Sequence, residues 1–315
     1  MPTEFVIVSD HNTCRRTTSG KQHRVTNINM FLRVTSWRPS SMQIRHCSSV
    51  IKAARDKLGS LGEGQISLHK DDASGIATVT LQHQQRHNAI SGSMMVQLAN
   101  IVEDLSSWET GKGVILQAEG DSFCSGGDLT TVKAISNPQD GFLMSTLMQD
   151  TLTRFYNLPF ITACLVHGRA LGGGAELTTV TDFRVFTNTG EIGFVQGRMG
   201  VVTGWGGGTR LVKLVGPTVA LELLTTGSRL NGVKASEIGL VNHHVDEENR
   251  FDETKSWLMR RISHAPEVLQ AMKKIVVAAR DSSLDDSLLN ERQVFSPLWG
   301  GPANLKALEG NIKHK

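Results

Sequence analysis

The sequence predicts an α/β core followed by a helical C-terminal region, and three observations lead to this fold class. Apolar, strand-like runs alternate with helix-like segments between residues 65 and 186. Two of these runs, Gly113–Ala118 and Phe160–Val166, each lead into a glycine-rich loop and then a helical pattern. Beyond Gly204 the patterns are mainly helical through Val294. Strands that alternate with helices are typical of α/β proteins.

The N-terminal segment differs in charge from the rest of the chain. Residues 1–59 carry ten Lys and Arg against three acids, whereas residues 60–315 carry 23 basic and 27 acidic residues. No acidic residue lies between His11 and Arg55, where arginines are spread among Ser and Thr. This composition is typical of a mitochondrial transit peptide; the alternatives are a disordered extension or a stretch bypassed by initiation at Met30. We expect residues 1–59 to lie outside a core of residues 60–265 and a C-terminal helical region of residues 266–315.

Composition excludes several classes of protein. The cysteines form no C-x-x-C pair, so neither a disulfide framework nor a zinc site is predicted; they are Cys14, Cys47, Cys124 and Cys164. No apolar run reaches the roughly 18 to 20 residues that a membrane-spanning helix needs. The net charge of +3 depends on the N-terminal segment, so it does not indicate nucleic-acid binding by the folded body. We expect a soluble protein in a reducing compartment, with no membrane or nucleic-acid partner.

The folded body is predicted to begin with a hairpin and a helix. Gln65–Leu68 and Gly75–Leu81 are strand-like and are joined by the turn-rich Asp71–Ser74. An amphipathic helix follows, capped by Ser91 or Ser93. Its apolar positions fall on one helix face, which predicts core packing; they are Met94, Met95, Leu98, Ile101, Val102 and Leu105.

The remaining elements follow from the same patterns. The core continues as alternating strands, glycine-rich loops and helices: strand 113–118, loop 123–129, helix 142–156, strand 160–166, loop 168–174, helix 175–180 and strand 182–186. In the helical region, Pro217 and Pro266 suit the first turns of helices. Cys124 and Cys164 lie in apolar strands and are predicted to be buried, unreactive thiols.

Both glycine-rich loops lie between a strand and a helix. Glycine lets the backbone approach a ligand closely, and the first amides of a helix have no intrahelical acceptor. Two such amides from separate loops can bind one oxygen on which negative charge develops, such as that of an enolate. A tight turn or a phosphate-binding loop is the alternative for each loop alone, but no G-K-[ST] follows either one.

Six motifs in order resemble the crotonase, or enoyl-CoA hydratase/isomerase, superfamily over roughly residues 65 to 310. They are Arg86-His-Asn-Ala-Ile90, Phe123-Cys-Ser-Gly-Gly-Asp-Leu129, Gly168-Arg-Ala-Leu-Gly-Gly-Gly-Ala-Glu-Leu177, Asp182-Phe-Arg184, Gly204-Trp-Gly-Gly-Gly-Thr-Arg-Leu211 and Ala235-Ser-Glu-Ile-Gly-Leu-Val241. The resemblance implies a spiral of ββα turns with a helical C-terminal region. It also implies an acyl-CoA thioester as substrate and assembly into homo-trimers or homo-hexamers.

The same resemblance implies positions for the site. The oxyanion-binding amides map onto Gly127 and Gly173. The segment Arg86 to Ala89 matches the backbone around CoA, with His87 as a wall of that site, although a catalytic role for His87 is the alternative. Gln84 stands where relatives often carry a proline, which implies a looser turn.

Further substrate contacts are expected at Trp205 and Lys273. Trp205 either lines the acyl pocket or packs in the core, and we assign it to the pocket. Lys273 lies on a C-terminal helix that in relatives reaches the CoA phosphates; the alternative is that it is a solvated surface lysine.

The carboxyl groups distinguish between the reactions of this superfamily. Hydratases use two glutamates, but here the first is Glu176 and the position of the second is Gln196. An amide is not a general base, so hydration should be poor. Decarboxylation of a malonyl-type thioester makes an enolate without removing a proton, and a single acid, for which Glu176 is the candidate, can then protonate it. No metal ion or other cofactor is needed, since CoA is part of the substrate.

Further stretches resemble the decarboxylases of the superfamily, in particular Trp299-Gly-Gly-Pro-Ala-Asn-Leu305. This resemblance implies action on ethylmalonyl-CoA and, less so, methylmalonyl-CoA, in the cytosol and in metabolite repair. The transit-like N-terminus makes the mitochondrial matrix the alternative location. Another crotonase activity, namely hydratase, isomerase or acyl-CoA hydrolase, and a non-catalytic CoA- or RNA-binding role are the alternative functions.

Overall fold

A computed structural model describes residues 48–310 of the chain. The α-helices in this range are α1 Ser48–Leu58, α2 Gly92–Ser106, α3 Leu129–Ala134, α4 Pro138–Tyr156, α5 Gly173–Thr178, α6 Gly207–Thr226, α7 Gly232–Glu237, α8 Arg250–Met259, α9 Pro266–Asp281, α10 Leu284–Phe295 and α11 Pro302–Glu309. The strands are β1 Gln65–Asp71, β2 Ile76–Gln82, β3 Gly113–Ala118, β4 Ile161–Val166, β5 Arg169–Leu171, β6 Phe183–Thr187, β7 Glu191–Gly193, β8 Arg229–Asn231 and β9 His243–Val245. Short 3₁₀ helices span Gln84–Arg86 and Gln196–Met199.

The main sheet has six strands in the order β1-β2-β3-β4-β6-β9. Strands β1 and β2 form the predicted antiparallel hairpin, and the other neighbours pair in parallel. A second sheet has the order β5-β7-β8 and adjoins the second glycine loop. The predicted α/β core followed by C-terminal helices is therefore confirmed.

Both faces of the main sheet are covered. In β3, the buried Leu116 faces a cluster shared with α2 and α4, whereas the buried Ile115 faces a cluster shared with α8 and α9. Successive side chains of a strand point to opposite faces, so a continuous apolar run is what a doubly covered parallel sheet requires. Consequently both glycine loops follow strands, β3 and β4, that are held in the core of the protein.

Local signals set several helix ends. Ser91 caps α2 by accepting a hydrogen bond from Met94 N, and Pro266 occupies the first turn of α9, both as predicted. Within α6 the backbone is non-helical at Gly216, where φ is 77°. Pro217 therefore starts a second helical segment, which agrees with its predicted first-turn position.

The folded body begins before residue 60, so the predicted N-terminal segment of residues 1–59 is too long. Residues 48–58 form α1, whose Ala54 and Leu58 are buried in the main core. Lys57 Nζ on α1 lies 3.0 Å from Asp140 Oδ2 on α4. The helix was not predicted because these two residues are its only fully buried side chains, which leaves little periodicity to detect. The transit-like composition and Met30 lie outside the described residues.

The C-terminal helices continue the body of the protein. Helix α9 buries Leu269 and Lys273 against the sheet, whereas α10 and α11 carry many exposed apolar side chains. No helix between residues 48 and 310 is both long and apolar enough to cross a membrane.

Candidate active site

The two glycine-rich loops contact each other through their backbones. Cys124 N donates to Arg169 O, and Cys124 O accepts from Leu171 N, both at 2.9 Å. A Cβ atom on Gly174 would lie 2.1 Å from Cys124 O, and one on Gly126 would lie 3.3 Å from Gly173 N. Glycine is needed here because the two backbones leave no room for a side chain. The loops therefore form a single structural unit.

The amides of Gly127 and Gly173 are unpaired within this unit. Gly173 is the first residue of α5, where the N–H has no intrahelical acceptor. Gly127 lies opposite Ile90 in an isolated parallel bridge whose hydrogen bonds run from Ile90 N to Gly126 O and from Asp128 N to Ile90 O. Neither amide donates a hydrogen bond to another residue in the range 48–310. Two unpaired donors in adjoining loops are suited to binding an anionic oxygen.

Trp205 packs against both glycines. A Cβ on Gly173 would lie 2.5 Å from Trp205 Cζ3, and one on Gly127 would lie 3.9 Å from Trp205 Cζ2. The Trp205 side chain is buried, and its Nε1 donates to Met144 Sδ at 3.1 Å. The structure thus brings Trp205 to the two loops, and its contact with a substrate stays a prediction.

Glu176 is buried in the first turn of α5, three residues after Gly173. Its side chain accepts four hydrogen bonds, and three of the donors are backbone amides of the loop that leads into α6. Oε1 accepts from Gln196 Nε2 at 3.0 Å and from Gly204 N at 3.3 Å. Oε2 accepts from Trp205 N at 2.9 Å and from Gly207 N at 2.8 Å. We call the Gly204–Gly207 segment the Glu176 clamp.

Opposing effects act on the ionisation of Glu176. Burial raises its pKa above the usual range, because a charged carboxylate loses its hydration. The hydrogen bonds from Gly207, Gln196 and Trp205 and the field of Arg210 lower the pKa by favouring the charged form. The net result is a pKa above the usual range of a glutamate.

Gln196 lies next to Glu176, and the family resemblance implies a second glutamate at this position in hydratases. Its Nε2 donates to Glu176, and its Oε1 is buried with no hydrogen-bond partner among the described residues. The pair therefore consists of one carboxyl and one amide, as the sequence predicts. A buried carbonyl oxygen without a partner is unusual, since such groups are normally hydrogen-bonded.

The segment Arg86 to Ala89 lies beside the first glycine loop. Arg86 and His87 are exposed, and Ala89 is buried. Ser125 joins the segment to the loop by donating from its Oγ to Arg86 O and from its N–H to His87 O. The structure thus places this stretch against the first glycine loop, and its contact with CoA stays a prediction.

Hydrogen bonds of the Asn88 side chain stabilise the turn before this segment. This role of Asn88 was not predicted from the sequence. Its Nδ2 donates to Glu119 O and Ser122 O, and its Oδ1 accepts from His83 N. Gln84 Nε2 also donates to Glu119 Oε2. The expected loosening at Gln84 is therefore offset by a side-chain hydrogen bond.

The assignment of Lys273 to substrate binding is not supported by its position. Lys273 is 5% exposed, and its Nζ pairs with Asp182 Oδ1. Asp182 in turn accepts from Thr162 N at 2.8 Å and from Thr162 Oγ1 at 3.0 Å. The ammonium group joins α9 to Asp182 beside the sheet, and its contact with a CoA phosphate stays a prediction, whereas the neighbouring Lys274 is exposed.

The predicted burial of two cysteines is confirmed, and the roles of Asp128 and Trp299 are visible in the structure. Asp128 caps α3 by accepting from Thr131 N at 2.9 Å. Cys164 in β4 and Cys124, which lies in the first glycine loop and not in a strand as predicted, are both buried, and burial raises the pKa of their thiols to about 11 and about 12. Trp299 is 72% exposed and packs on Phe295, so in this chain it lines no pocket next to Glu176.

The clamp was also missed from the sequence, although a signal for it exists. Two of its three glycines lie where side chains would collide: a Cβ on Gly207 would lie 2.3 Å from Glu176 Cγ, and one on Gly206 would lie 2.9 Å from Arg210 Nη1. Gly206 has a φ of 82°, in the left-handed region. A run of glycines some 30 residues after a buried acid is the pattern that can reveal such a contact.

Comparisons with known proteins agree with this arrangement. The enoyl-CoA hydratase/isomerase family model matches residues 71–301. Ethylmalonyl-CoA decarboxylase of Xenopus tropicalis is 43% identical over 263 residues, covering 83% of this chain and 88% of that protein. Ethylmalonyl-CoA decarboxylase of Gallus gallus is 45% identical over 257 residues, covering 81% and 86%.

Solved structures show the same fold. Enoyl-CoA hydratase from Bacillus anthracis is 26% identical with a TM-score of 0.72, covering 78% of this chain and 94% of that one. A Thermobifida fusca YX protein in complex with acetoacetyl-CoA has a TM-score of 0.66 over 79% of this chain and 97% of that one, and at 21% identity it shows the fold alone. The matched range and the identity to these relatives place the chain in the enoyl-CoA hydratase/isomerase, or crotonase, family.

Proposed function

We propose that this chain decarboxylates short branched malonyl-type CoA thioesters. Its preferred reaction is ethylmalonyl-CoA to butyryl-CoA, and methylmalonyl-CoA to propionyl-CoA is a slower one. The proposal is supported by the relatives named ethylmalonyl-CoA decarboxylase, which are 43% and 45% identical. It is also supported by a specific feature of the site, the pairing of Glu176 with Gln196.

The Glu176–Gln196 hydrogen bond is the observation that carries the proposal. A hydratase needs two carboxylates to position and activate water, and this site has one carboxyl bound to one amide at 3.0 Å. An amide neither accepts a proton nor carries a charge at neutral pH. Such a site is therefore suited to a substrate that brings its own carboxylate, because a second protein carboxylate would repel it.

The reaction begins when the bond between Cα and the substrate carboxylate breaks. The electron pair moves onto the thioester, CO₂ leaves, and a thioester enolate remains. The negative charge thus moves from the carboxylate to the thioester oxygen, where the amides of Gly127 and Gly173 bind it. Because these donors bind the enolate oxygen more strongly than the neutral carbonyl, they lower the barrier rather than only tightening binding. The thioester accepts the electrons itself, so the step requires no cofactor.

Protonation of Cα completes the reaction, and Glu176 is the candidate acid. Burial raises its pKa, which favours the protonated form that a donor needs. The O–H bond of the acid breaks, the C–H bond forms, and the resulting carboxylate is stabilised by the amides of the clamp. Solvent then restores the proton for the next turnover.

A panel of thioesters tests the function. The purified protein is incubated separately with ethylmalonyl-CoA, methylmalonyl-CoA and crotonyl-CoA, and products are followed by liquid chromatography and CO₂ release. We expect butyryl-CoA as the fastest product, some propionyl-CoA and almost no hydration. Efficient hydration of crotonyl-CoA with no CO₂ from either malonyl-type substrate would refute the decarboxylase and favour the hydratase alternative. Binding of CoA without turnover of any thioester would favour the non-catalytic alternative.

We further propose that the chain works as a homo-trimer or a pair of trimers. The support is a groove of about 530 Å³ between α9 and α10 whose lining includes Met272, Ile275, Leu288 and Phe295. Phe295 and Leu308 are more than half exposed, and exposed apolar patches of this kind mark interaction surfaces. Light scattering during size-exclusion chromatography gives the mass directly, and a monomer would contradict the assembly.

The proposed setting is metabolite repair in the cytosol, the removal of malonyl-type side products of acyl-CoA carboxylation. The mitochondrial matrix is the alternative, because the acid-poor, Arg-rich composition lies in the N-terminal segment. Fractionation of cells that express the full chain with a C-terminal tag distinguishes the two. Import with loss of the N-terminal segment would overturn the cytosolic assignment.

A further inference from the structure

The clamp that holds Glu176 is itself held by helix α4. Gly204 O accepts from Ser145 Oγ at 2.6 Å and from Gln149 Nε2 at 3.0 Å. Gln149 Nε2 also donates to Ser145 Oγ at 3.1 Å. Two side chains one helical turn apart thus converge on a single carbonyl oxygen, and each supports the other.

That carbonyl belongs to the peptide unit that binds Glu176. The C=O of Gly204 and the N–H of Trp205 are the two ends of one planar group, so neither can turn without the other. At one end the unit is fixed by Ser145 and Gln149, and at the other its N–H lies 2.9 Å from Glu176 Oε2. Hydrogen bonds at the carbonyl end also polarise the peptide and strengthen the N–H as a donor.

Packing does not hold this peptide on the Gly204 side. A Cβ on Gly204 would meet no heavy atom within 4 Å, whereas one on Gly207 would collide with Glu176. Glycine with open space around it has wide conformational freedom. The orientation of the Gly204–Trp205 peptide therefore depends on its hydrogen bonds, those from α4 at one end and that to Glu176 at the other.

We propose that Ser145 and Gln149 are positioning residues for the proton-transfer step. They fix the Gly204–Trp205 peptide, and through it they orient the Glu176 carboxyl and keep the Trp205 indole against Gly173. This role in turnover rests on the proposed function, whereas the coupling of α4 to Glu176 does not. Neither residue lies in the motifs that carry the family resemblance, and neither is expected to touch the substrate.

Loss of these contacts has a predictable direction. When the peptide is free to turn, its N–H binds the Glu176 carboxylate less well while the burial of Glu176 persists. The charged form is then less stable, so the pKa of Glu176 rises. Arg210 on α6 is the charged residue whose field acts on Glu176. Three other side chains near this site do not titrate: Ser145 and Gln149 on α4, and Gln196 on the 3₁₀ helix Gln196–Met199.

The experiment uses the full chain labelled with 5-fluorotryptophan. The sequence has five tryptophans, and the ¹⁹F resonance of Trp205 is identified by its loss in Trp205→Phe. We expect this resonance to titrate with Glu176 in the unmodified protein and not in Glu176→Gln. In Ser145→Ala/Gln149→Met the midpoint should move to higher pH. Ser145→Thr, which keeps a hydroxyl, should restore the unmodified midpoint when Gln149 is retained.

Thr146→Ala is the matched control on the same helix. Thr146 Oγ1 donates to Phe142 O and is exposed, so its removal tests the helix without touching the clamp. An unchanged midpoint in the double variant, or an equal shift in Thr146→Ala, would overturn the proposal. So would a Trp205 signal that titrates identically in Glu176→Gln, because the proposal depends on their direct contact.

Kinetics provide the second measurement. The double variant should lose about 10-fold to 100-fold in kcat, the scale of a small misplacement of a catalytic group, while KM changes little. The limb of the pH–rate profile that depends on Glu176 should move to higher pH, in step with the ¹⁹F midpoint. A fall in kcat with an unshifted profile would contradict the positioning role. Absence of decarboxylation in the unmodified protein would count against the proposed function, and the titration would still decide the coupling.

Discussion

Replacement of Gly173 by proline removes a proposed oxyanion donor, and alanine at the same position is its matched control. Both residues add a Cβ, which would lie 2.5 Å from Trp205 Cζ3. Contacts between carbon atoms are optimal at about 3.5–4.0 Å, so in both variants the indole must move by about 1 Å. Overpacking of this kind typically costs about 1–3 kcal/mol of stability. Only proline also deletes the N–H, and position 173 tolerates it because a first helical residue suits proline.

The comparison of the two variants therefore tests the amide N–H together with the space next to it, because the Cδ of proline takes the place of the N–H hydrogen. Loss of one oxyanion-hole donor costs about 2.7–4 kcal/mol in the barrier, or about 100-fold to 1,000-fold in kcat. We expect Gly173→Pro to be slower than Gly173→Ala by that factor in butyryl-CoA formation from saturating ethylmalonyl-CoA. Circular dichroism and thermal midpoints establish that both are folded to the same extent. A folded Gly173→Pro protein with a kcat within about threefold of Gly173→Ala would refute the assignment of this amide.

Four further predictions test other parts of the structure. Glu176→Gln should slow decarboxylation by about 100-fold to 10,000-fold with nearly unchanged thioester affinity, the range of general acid catalysis; a milder loss in single-turnover assays would place the acid elsewhere. Gln196→Glu should impair decarboxylation, because a second carboxylate faces that of the substrate, and a faster mutant would contradict this. Leu58→Ala should lower the free energy of unfolding by about 2–5 kcal/mol in urea titrations, and an unchanged value would show that α1 is dispensable. Cys124, whose thiol pKa is raised to about 12, should resist iodoacetamide at pH 8 until the protein unfolds, and alkylation of the folded protein would refute its burial.

Most of the core could be predicted because its signals are local. The strand β3 is a continuous apolar run, and the helix α2 has its apolar residues at helical spacing behind a capping serine. These patterns are set by the geometry of one element and the face it buries, so neighbours along the chain contain the information.

Features that depend on distant partners could not be predicted in the same way. Lys273 resembles a solvated surface lysine, but Asp182, 91 residues earlier, provides the counter-ion that permits its burial. A buried charge is stable only with such a partner, and the partner is visible only in the folded chain. Helix α1 is similar, since its two buried side chains, Ala54 and Leu58, are recognisable only next to the core that covers them.

For the site, the sequence by itself determined the chemical groups: glycines at both loop–helix junctions, one carboxyl at Glu176, and an amide at Gln196. Tertiary structure decided how they act. Trp205 lies against Gly173, and a loop 28 to 31 residues after Glu176 supplies three amides to its carboxyl. The physical reason is that ionisation and orientation depend on burial and on hydrogen-bond donors from other segments, which are assembled only when the chain folds.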